Sequence, residues 1–195
     1  MNFQIAHSAQ EIKEEIRKKL LKVEPRDILW DFDAEGAVLL ILNDCESGPT
    51  ILLTKRSENL THHKGQVAFP GGLIEASDPS PLETALREAK EEIGLDLKAI
   101  EILGELPKVV TGSSLVLVTP FVAWGENLSE FKPNPHEIEK IFEIPLKFLK
   151  QPNLFQTQLW NDGKQDRILY FFDYQGERVW GATAAILKEF LHLIF

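Results

Sequence analysis

Ser80-Pro81-Leu82-Glu83-Thr84-Ala85-Leu86-Arg87-Glu88-Ala89-Lys90-Glu91-Glu92-Ile93-Gly94 is the stretch on which the reading of this chain turns. It predicts a helix over 81–93. Ser80 suits the N-cap, Pro81 the first helical position, where no amide hydrogen is needed, and Glu83 completes a Ser-x-x-Glu capping box. Leu82, Ala85, Leu86, Ala89 and Ile93 recur with helical spacing as one apolar stripe, and Gly94 supplies the stop.

With Glu88 set at zero and about 100° of turn per residue, Glu91 falls near roughly −60° and Glu92 near roughly +40°. The apolar stripe covers roughly +60° to +160°, so three carboxylates share one narrow face and Glu92 stands at the edge of burial. Like charges at this spacing repel, and partial burial sharpens the cost unless a proton or a cation neutralises them. Oxygen-only donors suit a hard ion, Mg²⁺ or Mn²⁺, rather than zinc. Taken alone, the helix is more simply a solvated acidic face partly paired with Arg87 and Lys90. Pro70-Gly71-Gly72 just upstream shifts that balance, because glycine lets backbone carbonyls and amides approach a ligand closely. By itself it is a plain turn.

Outward from the helix, 36–42 and 51–55 read as strands of a hairpin turning over 43–49. A polar, basic loop spans 56–64, and Gln66-Val67-Ala68-Phe69 precedes the Pro70 break. Downstream, 100–106 and 115–124 read as strands, the second nearly all apolar and therefore central. Residues 134–143 fit a short helix or a loop followed by a strand. Segments 154–160 and 168–174 flank the hairpin turn Asn161-Asp162-Gly163. An exposed helix over 9–22 carries the stripe Ile12, Ile16, Leu20 and ends before Pro25; its Arg17-Lys18-Lys19 is read as a solvated helix end. An amphipathic helix over 183–195 closes the chain. No repeat or linker interrupts, so the expectation is one α/β domain over 1–195: a helical extension at 1–30 and a core of about 35–195, with a mixed sheet between helices.

Hydrophobic residues at 44% and charged residues at 26% provide for a real core, and 195 residues suit one domain. The net charge of −9 argues against a general nucleic-acid or anionic-membrane binder, which needs clustered Lys and Arg. It does not argue against a small anionic substrate, since a bound divalent cation inverts the local field. Cys45 is the only cysteine, so no intramolecular disulfide forms. Met1 to Gln10 lacks the apolar run of a signal peptide, and no stretch is long and apolar enough to span a bilayer. The expectation is a soluble cytoplasmic protein.

Taken together, these residues resemble the Nudix hydrolases. The second half of that family's box, Arg-Glu-apolar-x-Glu-Glu-x-Gly-apolar, is matched by Arg87, Glu88, Ala89, Glu91, Glu92, Gly94 and Leu95. The first half departs: the interval from Gly72 to Arg87 is one residue longer than the general box, and the loop acid is Asp78 rather than Glu. Asp78 either pairs with Arg87 to hold the loop or merely turns the chain before Pro79. The coenzyme A pyrophosphatase-like subgroup shares that longer interval and an upstream signature. Leu52-Leu53-Thr54-Lys55-Arg56-Ser57, Gly65 and Phe69-Pro70-Gly71-Gly72 match it in register, with Thr61 where the signature has a second arginine. Threonine does not replace a guanidinium fork on phosphate, and His62, His63 and Lys64 are either partial substitutes or exposed loop residues. Val179-Trp180-Gly181-Ala182-Thr183 is also similar to the subgroup's C-terminal segment.

The resemblance implies an α/β/α sandwich and Mg²⁺- or Mn²⁺-dependent hydrolysis of a nucleoside diphosphate linked to another group. Coenzyme A heads the substrates; ADP-ribose, a nucleotide sugar or a nucleoside triphosphate are the alternatives. It implies Glu88 and Glu92 as metal ligands, Glu91 as a third ligand or proton acceptor, the Gly72 carbonyl as a further ligand, and Arg87 orienting the carboxylates. Glu137 is an outside candidate for general base, equally readable as an acid at a helix start. Lys55, Arg56, Lys64, Gly71 and Gly72 are candidates for substrate contact, and strand alternation allows only one of Lys55 and Arg56 to reach the pocket. A homodimer is implied by the resemblance only. A non-catalytic nucleotide sensor of the same fold would be expected to lose glutamates that this chain keeps, and no P-loop sequence occurs.

Overall fold

The computed structural model describes residues 8–24, 28, 31–112, 114–161 and 166–195. At its centre lies strand β1 (Ala34–Cys45), paired parallel with β7 (Val116–Glu126) along residues 34–44 and 116–126. The other edge of β1 is shared. Its outer half pairs antiparallel with β2 (Gly48–Arg56), and its first residues pair with the short β4 (Gly71–Leu73). Beyond β2 lie β3 (Val67–Ala68) and β8 (Ile138–Pro145); beyond β7 lie β5 (Ile100–Glu105) and β6 (Val109–Val110).

Alternation along β1 sends successive side chains to two cores. Ala37, Leu39 and Ile41, with Phe121 and Ala123 of β7, meet Ala85, Ala89 and Ile93 of helix α2 (Pro81–Ile93). Small alanines let α2 lie close to the sheet. Leu40 and Leu42, with Val122 and Trp124, face Ile16 and Leu20 of α1 (Ala9–Leu20) and Ile186, Leu187 and Phe190 of α4 (Gly181–Ile194). A mixed sheet between helices is the expected fold class. Full burial of such Leu, Ile and Phe side chains contributes about 1.5–3 kcal/mol each. The short α3 (Leu146–Leu149) follows β8.

Several elements differ from the sequence reading. The hairpin turn is tighter than 43–49, because β1 and β2 run on to a Cys45–Gly48 pair and leave only Glu46 and Ser47 between them. Residues 134–143 resolve as a loop followed by a strand. At α2, Ser80 Oγ accepts from the Glu83 N–H, but Glu83 makes no return bond among the described residues; both halves of a capping box form instead at α1, between Ser8 and Glu11. Gly94 caps α2 in the left-handed region at φ 66°. Strands β9 (Gln156–Asn161) and β10 (Asp166–Tyr174) pair as expected, and β11 (Glu177–Trp180), not foreseen, joins them in a separate three-stranded sheet. Asp162 and Gly163 of the expected turn, and Pro25, lie outside the described residues.

Candidate functional site

Helix α2, the loop before β4 and the end of β2 meet at one wall of a cavity of about 1030 Å³. Glu92 is only 2% exposed. Its Oε2 accepts from the Gly71 N–H at 3.1 Å, and its Oε1 from Arg56 Nη1 at 3.1 Å. Burial pushes the Glu92 carboxyl up to about 7, against the pull of the Gly71 amide and the Arg56 charge, with Glu88 and Glu137 adding to the rise. Burial also raises Glu88, opposed by Arg87 and reinforced by Glu91 and Glu137. Both glutamates line the cavity.

The glycines admit this approach. A Cβ on Gly72 would lie 2.3 Å from Glu88 Oε1, and one on Gly71 2.3 Å from the Ala37 carbonyl oxygen. A Cβ on Gly36 would lie 2.8 Å from the Gly72 carbonyl oxygen, so glycine at this β1 position keeps a side chain from crowding that oxygen. Sequence reading missed Gly36, since its part is set by the β1–β4 register rather than by any local motif.

Arg87 does not line the cavity. Its Nε and Nη2 donate to Asp78 at 2.9 and 3.0 Å as a bidentate fork, and its Nη1 donates to Glu88 at 2.9 Å and Glu91 at 3.1 Å. Asp78 also accepts from Thr84 Oγ1 and the Glu75 N–H at 2.9 Å, and the Arg87 guanidinium holds its carboxyl well below the usual carboxylate range. Of the two readings of Asp78, the structure selects the pair that holds the loop.

Other expected residues part company. Arg56 reaches the cavity; Lys55 turns away to Glu139 at 3.2 Å and Glu177 at 3.5 Å. Glu91, with a side chain 56% exposed, sits outside the cavity against Arg87, because helix rotation carries it past the wall that Glu88 and Glu92 face. Lys64 is exposed and off the lining, whereas His62 and His63 are on it. Thr61 is exposed. Glu137 lines the cavity: its Oε1 accepts from Asn134 Nδ2 at 3.0 Å, and its carbonyl from the Ser57 N–H at 2.7 Å, which ties its loop to the end of β2. Also missed were Trp160, Leu169 and Trp180, which line the cavity from the small sheet.

Among the described residues no three Asp, Glu, His or Cys side chains converge on one point; Glu88 and Glu92 are drawn to Arg87, Arg56 and the Gly71 amide. Their chemistry still fits a hard cation. Two desolvated carboxylates lie against Gly71 and Gly72, where the absence of side chains leaves them room, and oxygen donors of this kind suit such an ion.

A hydrolytic class is what this fold and wall define, and comparison with known proteins names it. The NUDIX domain family model matches residues 33–167. The chain is 40% identical over 166 residues to a Photorhabdus laumondii protein described as an uncharacterized Nudix hydrolase NudL, covering 85% of this chain and 87% of that one. A Yersinia enterocolitica protein of the same description is 35% identical over 186 residues, covering 95% and 94%. In fold it is similar to a MutT/nudix family protein from Enterococcus faecalis (TM-score 0.58, 16% identity, 98% of this chain and 76% of that). A NUDIX hydrolase from Alicyclobacillus acidocaldarius gives a TM-score of 0.53 at 18% identity, over 85% and 93%. The chain belongs to the Nudix hydrolase family.

Proposed function

We propose that this Nudix hydrolase cleaves the diphosphate of coenzyme A or its derivatives, giving 4′-phosphopantetheine and adenosine 3′,5′-bisphosphate, with Mg²⁺ or Mn²⁺ as cofactor. One contact carries the reading: Arg56, from the Leu52–Ser57 run, lies 3.1 Å from Glu92 of the helix, with Gly71 bonded to the same carboxylate. Upstream signature and box thus act as one site.

Glu88, Glu92 and the Gly72 carbonyl would hold the cation. When bound, it neutralises the diphosphate and lowers the pKa of a nearby water. Arg56, whose Nε is buried with no partner among the described residues, places fixed positive charge where phosphate oxygens would lie. Arg87 bridges Glu88 and Glu91 through one nitrogen and ties them to Asp78. Water forms its new bond to phosphorus as the bridging P–O bond breaks; the Glu137 carboxylate takes the water's proton, and the departing phosphate carries the released electron pair. The protein is read as acting without nucleic acid or membrane.

Incubating the protein with Mg²⁺ and separate samples of coenzyme A, ADP-ribose, a nucleotide sugar and a nucleoside triphosphate, with products read by mass, tests the substrate. Preferred cleavage of coenzyme A is expected. Equal or better cleavage of ADP-ribose would replace that reading while leaving diphosphate hydrolysis intact. No cleavage of any of them would favour a nucleotide sensor.

A further inference from the structure

Near α4 the three-stranded sheet buries one face, while Leu159 and Ile168 farther along that same face lie open at 67% and 60% exposure. The other face carries three residues to the cavity. On the buried face, Phe172 and Val179 join the core under α4. Cross-strand partners share a face, and residues two apart along a strand share it too. Trp160 faces Arg167, and Trp180 faces Phe171. Arg167, Leu169 and Phe171 alternate along β10, so Trp160, Leu169 and Trp180 lie on one face, one from each strand, in a diagonal row. These are the three residues of the small sheet that line the cavity. Phe171, also on that face, is covered by the Arg178 guanidinium 5.0 Å from its ring centre.

The row is costly to leave open. Trp180 is 40% exposed, and among the described residues neither indole is paired with another ring or a cation. Partly exposed indoles that line a cavity without a ring partner are suited to a flat apolar group. Arg56, Glu88 and Glu92 line the same cavity, and its volume exceeds what a diphosphate alone would fill. Thr111 and Ser114 line the same space, their hydroxyls bonded to each other at 2.8 Å and Thr111 Oγ1 also accepting from the Val116 N–H at 2.9 Å.

We propose that Trp160, Leu169 and Trp180 form the platform on which the substrate's nucleobase stacks, setting the nucleotide's distance from the carboxylate wall. This rests on the reading of the substrate as a nucleoside diphosphate derivative, but not on that substrate being coenzyme A. The platform selects for an aromatic base through its flat faces, whichever group lies beyond the diphosphate.

Two probes, AMP and ribose 5-phosphate, differ only in the base, and their binding is measured by calorimetry and tryptophan fluorescence without metal. AMP is expected to bind the wild-type protein about tenfold or more tightly than ribose 5-phosphate and to quench its fluorescence, as base–aromatic stacking at this strength requires. Trp160→Ala and Trp180→Ala should each remove most of that difference without changing ribose 5-phosphate binding, and Trp160→Phe and Trp180→Phe should restore it. In turnover the alanine variants should raise KM by about tenfold with a far smaller change in kcat. Equal binding of the two probes by the wild-type protein would overturn the platform, whatever the variants do, as would undiminished AMP preference in both alanine variants. Base-dependent binding alongside failure to cleave coenzyme A would leave the platform standing and remove only the proposed substrate.

Discussion

Glu92 is held by two donors while burial works against its charge. Glu92→Gln keeps the side chain's shape and an oxygen for the Gly71 amide, but removes the charge facing Arg56. Turnover should fall by at least about a hundredfold, as for loss of a key electrostatic group. Because the folded carboxyl value is raised, the fold favours a neutral side chain at pH 7, so the variant should melt near or slightly above wild type even though Arg56 loses its charged partner. Steady-state rates beside a thermal melt check both, and near wild-type turnover would remove Glu92 from the machinery. Asp78 behaves oppositely. Arg87 holds its folded-state carboxyl below the ordinary value of 3.8, so the stability this contributes is present above pH 3.8 and lost as pH falls toward the folded value. Asp78→Asn should therefore lower Tm clearly at pH 7, and the gap from wild type should close in melts below about pH 4.

Neighbouring glycines in β4 separate function from fold. A Cβ on Gly71 would strike backbone, the Ala37 carbonyl oxygen and Val38 Cα, at 2.3 and 2.7 Å. Gly71→Ala should break the β1–β4 pairing and cost about 1–3 kcal/mol, read as a lower denaturation midpoint. The three atoms nearest a Cβ on Gly72 all belong to the Glu88 carboxylate, the far end of a flexible side chain. Gly72→Ala should melt near wild type yet lose activity as Glu88 is displaced; unchanged kcat/KM would mean that Glu88's position is not needed. Such contacts explain what the sequence made legible. Local signals located α2, its N-cap and its glycine stop, and the nearly unbroken apolar run of β7 identified a central strand. Strand alternation rightly allowed only one of Lys55 and Arg56 into the cavity. Long-range pairing carries no local mark: Gly36 close to the Gly72 carbonyl, β11 beside β10, and the indole row across three strands depend on register between distant segments. Glu91 sits against Arg87 outside the cavity lining, because a shared helix face does not say which part of that face meets the cavity wall.

At the scale of the whole molecule, a net charge of −9 surrounds a cavity wall where burial and the neighbouring Glu137 charge raise the affinity of Glu88 and Glu92 for protons. Folding brings these acids together, and the unfolded chain lets them separate, so a divalent cation that joins Glu88 and Glu92 binds the folded state selectively. Mass action then links the site to global stability: at about a hundred times its Kd such an ion adds about 2.7 kcal/mol. For a chain of this length that is roughly 5–10 °C in Tm. Adding Mg²⁺ or Mn²⁺ should raise the melting temperature, a chelator should reverse the shift, and Glu92→Gln should lose most of it. Monovalent salt at matched ionic strength screens surface charge without bridging carboxylates, so it should give a much smaller change. Equal shifts from monovalent and divalent salts would mean that the carboxylates hold no ion specifically, and the assignment of Glu88, Glu92 and Gly72 as ligands would fall.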